Sequence, residues 1–261
     1  MEFPVYQVDA FAGRVFAGNP AVVCCLDGWL DDDVLTAIAA EHNISTTAFL
    51  VPRDEGFEIR YFSGAGELAL VGHASLAAAH IVLRVLRPDI AAASLRRRSG
   101  ILRIFREEGD LLAIELPATP AGPCAAPAGL EAALGSPFLE VRATPAQYFV
   151  VMPDEAAVAG LAPDMARLMA LDRDGVIVTA PGRDCDFVSR AFAPKEGLPE
   201  DPVCGSAHLA LVPFWSERLR RSRHLARQLS PRGGELHCVL DGAAVRLAGR
   251  CALYMKGIIQ I

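Results

Sequence analysis

Lysine is nearly missing from this chain. Lys195 and Lys256 are the two it has in 261 residues. A Schiff-base cofactor would have to use one of them, and neither lies in a suggestive run. No two cysteines are spaced CxxC, and the seven at 24, 25, 124, 185, 204, 238 and 251 are odd in number. Most sit in apolar runs such as AVVCCL and HCVL, so reduced, buried thiols are expected rather than a disulfide framework. No His/Cys/carboxylate set has the spacing of metal ligands, and no metal is expected. Long apolar runs are also lacking. The most apolar, LALVGHASLAAAHIVL at 68–83, contains His73 and His80 and falls short of a membrane span. The N-terminal MEFPVYQVDAF shows no basic stretch followed by an apolar one, so a cytoplasmic protein with no membrane partner is the expectation. Nor is there an excess of positive charge. The net charge is −6 and the pI is about 5.5, which repels phosphate backbones and argues against nucleic acid as a partner. The basic run LRRRSG at 95–100 reads as a solvated strand edge or loop.

The chain does have core material. Hydrophobic residues make up 52% and charged ones 21%, a balance that excludes disorder. In the first half FPVYQVDAF, AVVCCLD, TAFLVP and FEIRYF read as strands, with GNP at 18–20 as a turn. DDDVLTAIAAEHN reads as a helix with acids at its start, and a second helix is expected from about His73 to Arg84. ASLRRRS, ILRIFRE and LLAIELP follow as strands. The composition then shifts to PATPAGPCAAPAGL at 117–130, rich in Pro, Ala and Gly. Residues 118–127 are expected to be a linker. The strand pattern restarts with FLEVRAT, QYFVVM, GVIVTA and CDFVSRAFA, a helix begins near Ser206, and QLSPRGG, ELHCVLD and AAVRLAG close the half.

The halves resemble each other. GHASLAAAHIVL in the first matches GSAHLALVPFW in the second, and each is a nearly all-apolar helix opening on Gly. Gly100 follows Gly72 by 28 residues, Gly233 follows Gly205 by 28, and RSGILRI echoes RGGELHC there. A helix that is apolar nearly all round must be buried on all sides. The expected fold class is therefore α+β, with two similar domains that each wrap strands around one apolar helix. The expected bounds are 1–117 plus 253–261 for the first and 128–252 for the second, with the final strand returning to the first.

Chemistry concentrates in EDPVCGSAH at 200–208. A buried helix starting at a Gly turn offers unpaired N–H groups and a positive dipole end, which suits a carboxylate or phosphate. A plainer possibility stands beside it: GHA and GSA are only tight strand-to-helix turns. Asp201 can cap the turn or act as a general acid or base. Cys204 lies just before the helix, where the dipole would lower its pKa; the alternative is a small buried filler. His73 and His208 each lie near a helix start, as proton carriers or as structural residues.

Four blocks carry a family resemblance: VDAFAGRVFAGNPAVV at 8–23, GHASLAAAH at 72–80, SRAFAPKEGLPEDPVCGSAH at 189–208 and QLSPRGGEL at 228–236. The chain resembles the phenazine-biosynthesis isomerase-like (PhzF-like) family, of the diaminopimelate-epimerase fold. The resemblance implies pseudo-symmetric domains, an active-site cleft between them, a homodimer, no cofactor, and an isomerase that moves a proton on a small carboxylate substrate. It also implies that Gly72, Gly205, Ser206 and Ala207 bind the substrate and that His73 and Asp201 relay or position protons. One position departs. The family pattern N-x-S-E-T-A-F reads NISTTAF here, so Thr46 stands where the acid/base glutamate is expected. A threonine hydroxyl cannot serve as a base unaided. Cys204, where the family commonly has Thr, is a candidate replacement. Two alternatives follow from these departures: a non-catalytic carboxylate-binding relative, or a thiol-dependent enzyme using Cys204 with His73 or His208.

Overall fold

A computed structural model describes residues 1–54 and 56–261. The chain divides into two compact units, residues 1–116 with 246–261 and residues 117–245. The C-terminal return to the first unit therefore starts at Arg246. Residues 118–127, expected as a linker, fall inside the second unit.

In chain order the first unit contains β1 (Glu2–Ala10), β2 (Asn19–Cys25), α1 (Asp32–His42), β3 (Thr47–Arg53), β4 (Gly56–Ser63), β5 (Gly66–Leu68), α2 (Gly72–His80), β6 (Ala92–Arg97), β7 (Gly100–Arg106) and β8 (Leu112–Pro117). The second contains β9 (Gly122–Pro123), α3 (Leu130–Leu134), β10 (Glu140–Ala143), β11 (Gln147–Val151), α4 (Glu155–Ala159), α5 (Met165–Met169), β12 (Gly175–Pro181), β13 (Phe187–Ala193), β14 (Leu198–Asp201), α6 (Gly205–Leu219), β15 (Arg223–Gln228) and β16 (Gly234–Asp241), and β17 (Ala244–Gly249) begins in it and ends in the first. β18 (Cys251–Gln260) runs antiparallel to β1. The second predicted helix is split: α2 ends at His80 and a π-helical stretch continues over Ile81–Leu86.

The repeat seen in the sequence is a repeat of topology. Within the first unit β1–β2 is antiparallel, β2–β3 parallel, β3–β4 and β4–β5 antiparallel, β4–β6 parallel and β6–β7 antiparallel. β10 to β16 repeat that series step for step in the second unit. The parallel steps need crossovers, and α2 and α6 each lie on one of them. Every residue of α2 from Gly72 to Ala79 is buried, as are Ala207 to Val212 of α6. The strands alternate accordingly. Phe49, Val51 and Phe62 pack with Leu35 and Ile38 of α1, while Tyr61, the residue before Phe62, gives its hydroxyl to Ser75 of α2 at 2.6 Å.

An Arg-x-Phe pattern recurs in the central strand of each unit. Arg60 lies over the Phe62 ring, with its Cζ 4.9 Å from the centroid, and forks onto Glu67 with two bonds of 2.7 Å. Arg190 lies 5.0 Å from the Phe192 centroid and forks onto Glu200 at 2.7 and 2.9 Å. Both glutamates lie five residues before the helix-opening glycine. Each pair therefore clamps the strand that delivers the chain to its buried helix.

Two local devices complete the second unit. Pro213 lies inside α6 and has no N–H to give to Leu209 four residues earlier. The Leu209 carbonyl instead accepts the Thr119 N–H at 2.9 Å. This bond, with β9 pairing to β10, holds the Pro-rich segment against its unit. In the first unit Gly18 has φ +65, and a Cβ there would lie 2.2 Å from the Ala10 carbonyl oxygen, so no other residue fits that turn.

The Arg190–Glu200 pair is mostly buried, with side-chain exposures of 11% and 17%. Arg190→Met should destabilise the fold by about 3 kcal/mol or more, because Glu200 is left without its cation. The double variant Arg190→Met/Glu200→Leu should recover most of that loss in urea unfolding. A double variant as unstable as the sum of the two singles would show that the pair is not coupled.

Candidate active site

In the second unit β14 ends at Asp201 and α6 opens at Gly205, and the intervening DPVC turn is stitched down by β15 and the loop after it. The Gln228 side chain bridges the turn: its Nε2 donates to the Asp201 carbonyl at 2.6 Å, and its Oε1 accepts the Cys204 N–H at 2.9 Å. Ser230 Oγ donates to the Pro202 carbonyl at 2.7 Å and accepts the Gly233 N–H at 3.0 Å. Gln228 and Ser230 are the functional neighbours that residue-by-residue reading missed. They lie in the QLSPRGGEL block, whose polar residues between an apolar strand and a Gly turn were the available signal.

Cys204 is the N-cap residue of α6 and is 6% exposed. The expectation of a dipole-activated thiolate is not met. Burial, then the neighbouring Asp201 charge, drives the thiol pKa far above its ordinary range. The Ser206 hydroxyl, whose Oγ is 3.2 Å from Sγ, and the Ala207 N–H pull the other way and do not prevail. Burial and the nearby Asp201 carboxylate together keep the sulfur protonated. A thiol held protonated in this way is not a nucleophile. His208 does not activate it either. Its Nδ1 lies 2.8 Å from the Cys204 carbonyl oxygen, not the sulfur, and its Nε2 is buried without a partner. Burial holds the His208 pKa down at about 4, with the Cys204 carbonyl opposing.

In the first unit Val71 and Gly72 take the positions of Cys204 and Gly205, and Ser75 takes that of His208. Ser75 Oγ donates to the Val71 carbonyl at 2.7 Å, as His208 does to Cys204. The first amides of α2 have no partner within the helix, and no N-cap side chain satisfies them. His73 is 6% exposed and neutral at pH 7, because burial lowers its pKa to about 4. Its Nε2 is 3.5 Å from the Oγ of Ser45, an exposed residue that sequence reading passed over. Thr46 is 2% exposed, and its carbonyl accepts the Val22 N–H at 3.2 Å. His73, Ser45 and Thr46 thus belong to one unit, and Asp201, Cys204, Gly205, Ser206 and Ala207 to the other. Among the described residues no three His, Cys, Asp or Glu side chains gather as a metal site, and no helix is long and apolar enough to cross a membrane.

The sequence pattern of the family described as phenazine biosynthesis-like protein matches residues 8–257. The chain belongs to this PhzF family. A Pseudomonas aeruginosa protein named as an uncharacterized isomerase is 48% identical over the whole of both chains. The crystal structure of a PhzF-family phenazine biosynthesis protein from Enterococcus faecalis superposes with a TM-score of 0.96 at 40% identity, covering all of both chains. A hydroxyproline epimerase from Agrobacterium vitis, at 11% identity and a TM-score of 0.63, covers 99% of this chain and 92% of its own. It shares the fold alone, which places the PhzF protein in the α+β architecture expected from its sequence.

Two measurements test this site. Native Cys204 should resist iodoacetamide at pH 8 while half-exposed Cys124 is alkylated, read by mass spectrometry of peptides. Rapid labelling of Cys204 would refute a buried, protonated thiol. The second is pH-dependent. His73 and His208 take up protons less readily when folded, so their contribution is complete above pH 6.5 and lost as pH falls toward 4. Each steepens the acid limb of stability by about 1.4 kcal/mol per pH unit in that window. His73→Gln should make the limb shallower by that amount, and an unchanged limb means the ring titrates normally.

Proposed function

We propose that this protein is a cofactor-independent isomerase that moves a proton on a small carboxylate, in the manner implied by its PhzF membership. The observation that carries the reading is the stitched DPVCGS turn. The Asp201 carbonyl is held by Gln228, and the chain enters α6 directly behind it. In this reading the first-turn amides at Gly72 and at Gly205–Ser206 hold the carboxylate, and the Ser206 hydroxyl assists. Negative charge that develops beside the carboxylate when a C–H proton leaves is stabilised by the same donors. Asp201 takes that proton from one carbon and returns it to another, so one group is regenerated and no oxidant or second reactant is consumed. Neutral His73, next to Ser45, positions the substrate or relays the proton. Thr46 takes the place of the family glutamate and leaves the acid/base work to Asp201. A homodimer working in the cytoplasm completes the proposal.

Thr46 also favours a second reading, a relative that binds small carboxylates without turning them over. Deuterium wash-in separates the two. Protein in D2O with a panel of small carboxylates, including a dihydro-hydroxyanthranilate, should incorporate deuterium, and Asp201→Asn should lower the rate by roughly 100-fold or more. Cys204→Ser should retain most exchange, since no step in this reading uses the thiol. Binding with no exchange on any compound would establish the non-catalytic reading.

A further inference from the structure

The two units differ in one place that their shared topology makes easy to see. By the Gly72/Gly205 and Gly100/Gly233 register, Leu95 and Arg97 occupy the positions of Gln228 and Ser230, and Leu68 and Ala69 those of Asp201 and Pro202. In the second unit Gln228 and Ser230 bond to the carbonyls of Asp201 and Pro202. In the first unit the hydrophobic Leu95 can make no such bond, and the Arg97 guanidinium bonds Ser99 Oγ at 3.0 Å instead. A cavity of about 270 Å³ remains there, with Tyr61, Leu68 and Ala69 on its walls and Arg97, Arg98 and Ser99 at its rim.

The charges around this cavity do not balance. Arg60 is taken up by Glu67 and Asp32 at 2.7 and 2.8 Å. Arg98 bonds Glu67 at 2.9 Å and reaches Asp32 at 3.8 Å. Two carboxylates thus serve two arginines. Arg97 has no carboxylate partner among the described residues, and its buried Nε has no hydrogen-bond partner. Besides Tyr61, Leu68 and Ala69 the lining includes the Arg60–Glu67–Arg98 cluster, whose acid is already shared by two guanidinium groups, so Arg97 is the cation left facing the space. Such a space matches one negative charge on an apolar body, and a planar carboxylate fits the guanidinium fork.

We propose that this cavity is a second binding site, which takes a small aromatic monocarboxylate with its carboxylate on Arg97 and Ser99 and its ring against Tyr61 and Leu68. Fluorine NMR of 4-fluorobenzoate, titrated with full-length protein at constant ionic strength, reads binding directly. Saturable binding is expected. It should weaken by roughly tenfold or more in Arg97→Gln, less in Ser99→Ala, and not at all in Arg103→Gln, an exposed arginine on β7. The neutral 4-fluorobenzamide should not bind. Inorganic phosphate should compete poorly, lacking the apolar body. Absence of binding, binding that survives Arg97→Gln, or competition by phosphate as strong as by benzoate would each overturn the proposal. So would binding abolished by Ser206→Ala and not by Arg97→Gln, which would assign the ligand to the α6 start. Deuterium wash-in that persists in Arg97→Gln keeps the outcome here separate from the isomerase reading.

Discussion

Everything in this fold answers to two helices whose middle turns have no wet side. Gly72–Ala79 of α2 and Ala207–Val212 of α6 are buried without a break, so each must be enclosed by strands, and the backbone polar groups there cannot turn to water for partners. Within the helices the i−4 bonds take care of this. At the first turn they do not, and neither Val71 nor Cys204 caps its helix with a side-chain hydrogen bond. A buried helix start with spare N–H groups is expensive unless something accepts from it. In the proposed function a carboxylate substrate is that acceptor.

The clamps that deliver the chain to those helix starts are electrostatic. Arg60–Glu67 and Arg190–Glu200 are bidentate, largely buried and each backed by a phenylalanine ring. Arg190 Nη1 also donates to the Leu161 carbonyl at 2.7 Å, which ties the segment after α4 to the same strand. Ion pairs of this kind contribute less to stability than to geometry, because desolvation offsets much of their attraction. They hold one strand end in one register just before the chain turns toward its helix. The repeat of the device in both units marks it as part of the architecture rather than an accident of one surface.

Much of this was legible in the sequence for a physical reason. Long alternating runs such as FEIRYF and CDFVSRAFA admit one assignment, and two all-apolar stretches opening on Gly admit one burial. The echo between GHASLAAAH and GSAHLALV disclosed the repeat. Side-chain partnerships were not legible, since they depend on contacts between distant segments. Nothing near Gln228 in sequence says that its amide bridges Asp201 and Cys204, and nothing near Arg97 says that its acids are already taken. The short helices α4 and α5 span five residues each and are too brief to show a period. Cys204 shows a local rule losing to a tertiary one: the helix end favours a thiolate, but exclusion of water around the sulfur outweighs it.

Pro213 gives the second unit an order of assembly. The Leu209 carbonyl is open to Thr119 because the proline cannot use it, and it lies at that position only once the helix around it has formed. Ninety residues of chain separate the two partners, so the bond closes a large loop and gains nothing while α6 is unwound. The Pro-rich segment that opens the unit can therefore make this bond only after α6 has formed. During synthesis it leaves the ribosome long before its docking place exists. The proline that weakens the helix thus also makes one join between the start of the unit and its core depend on that helix.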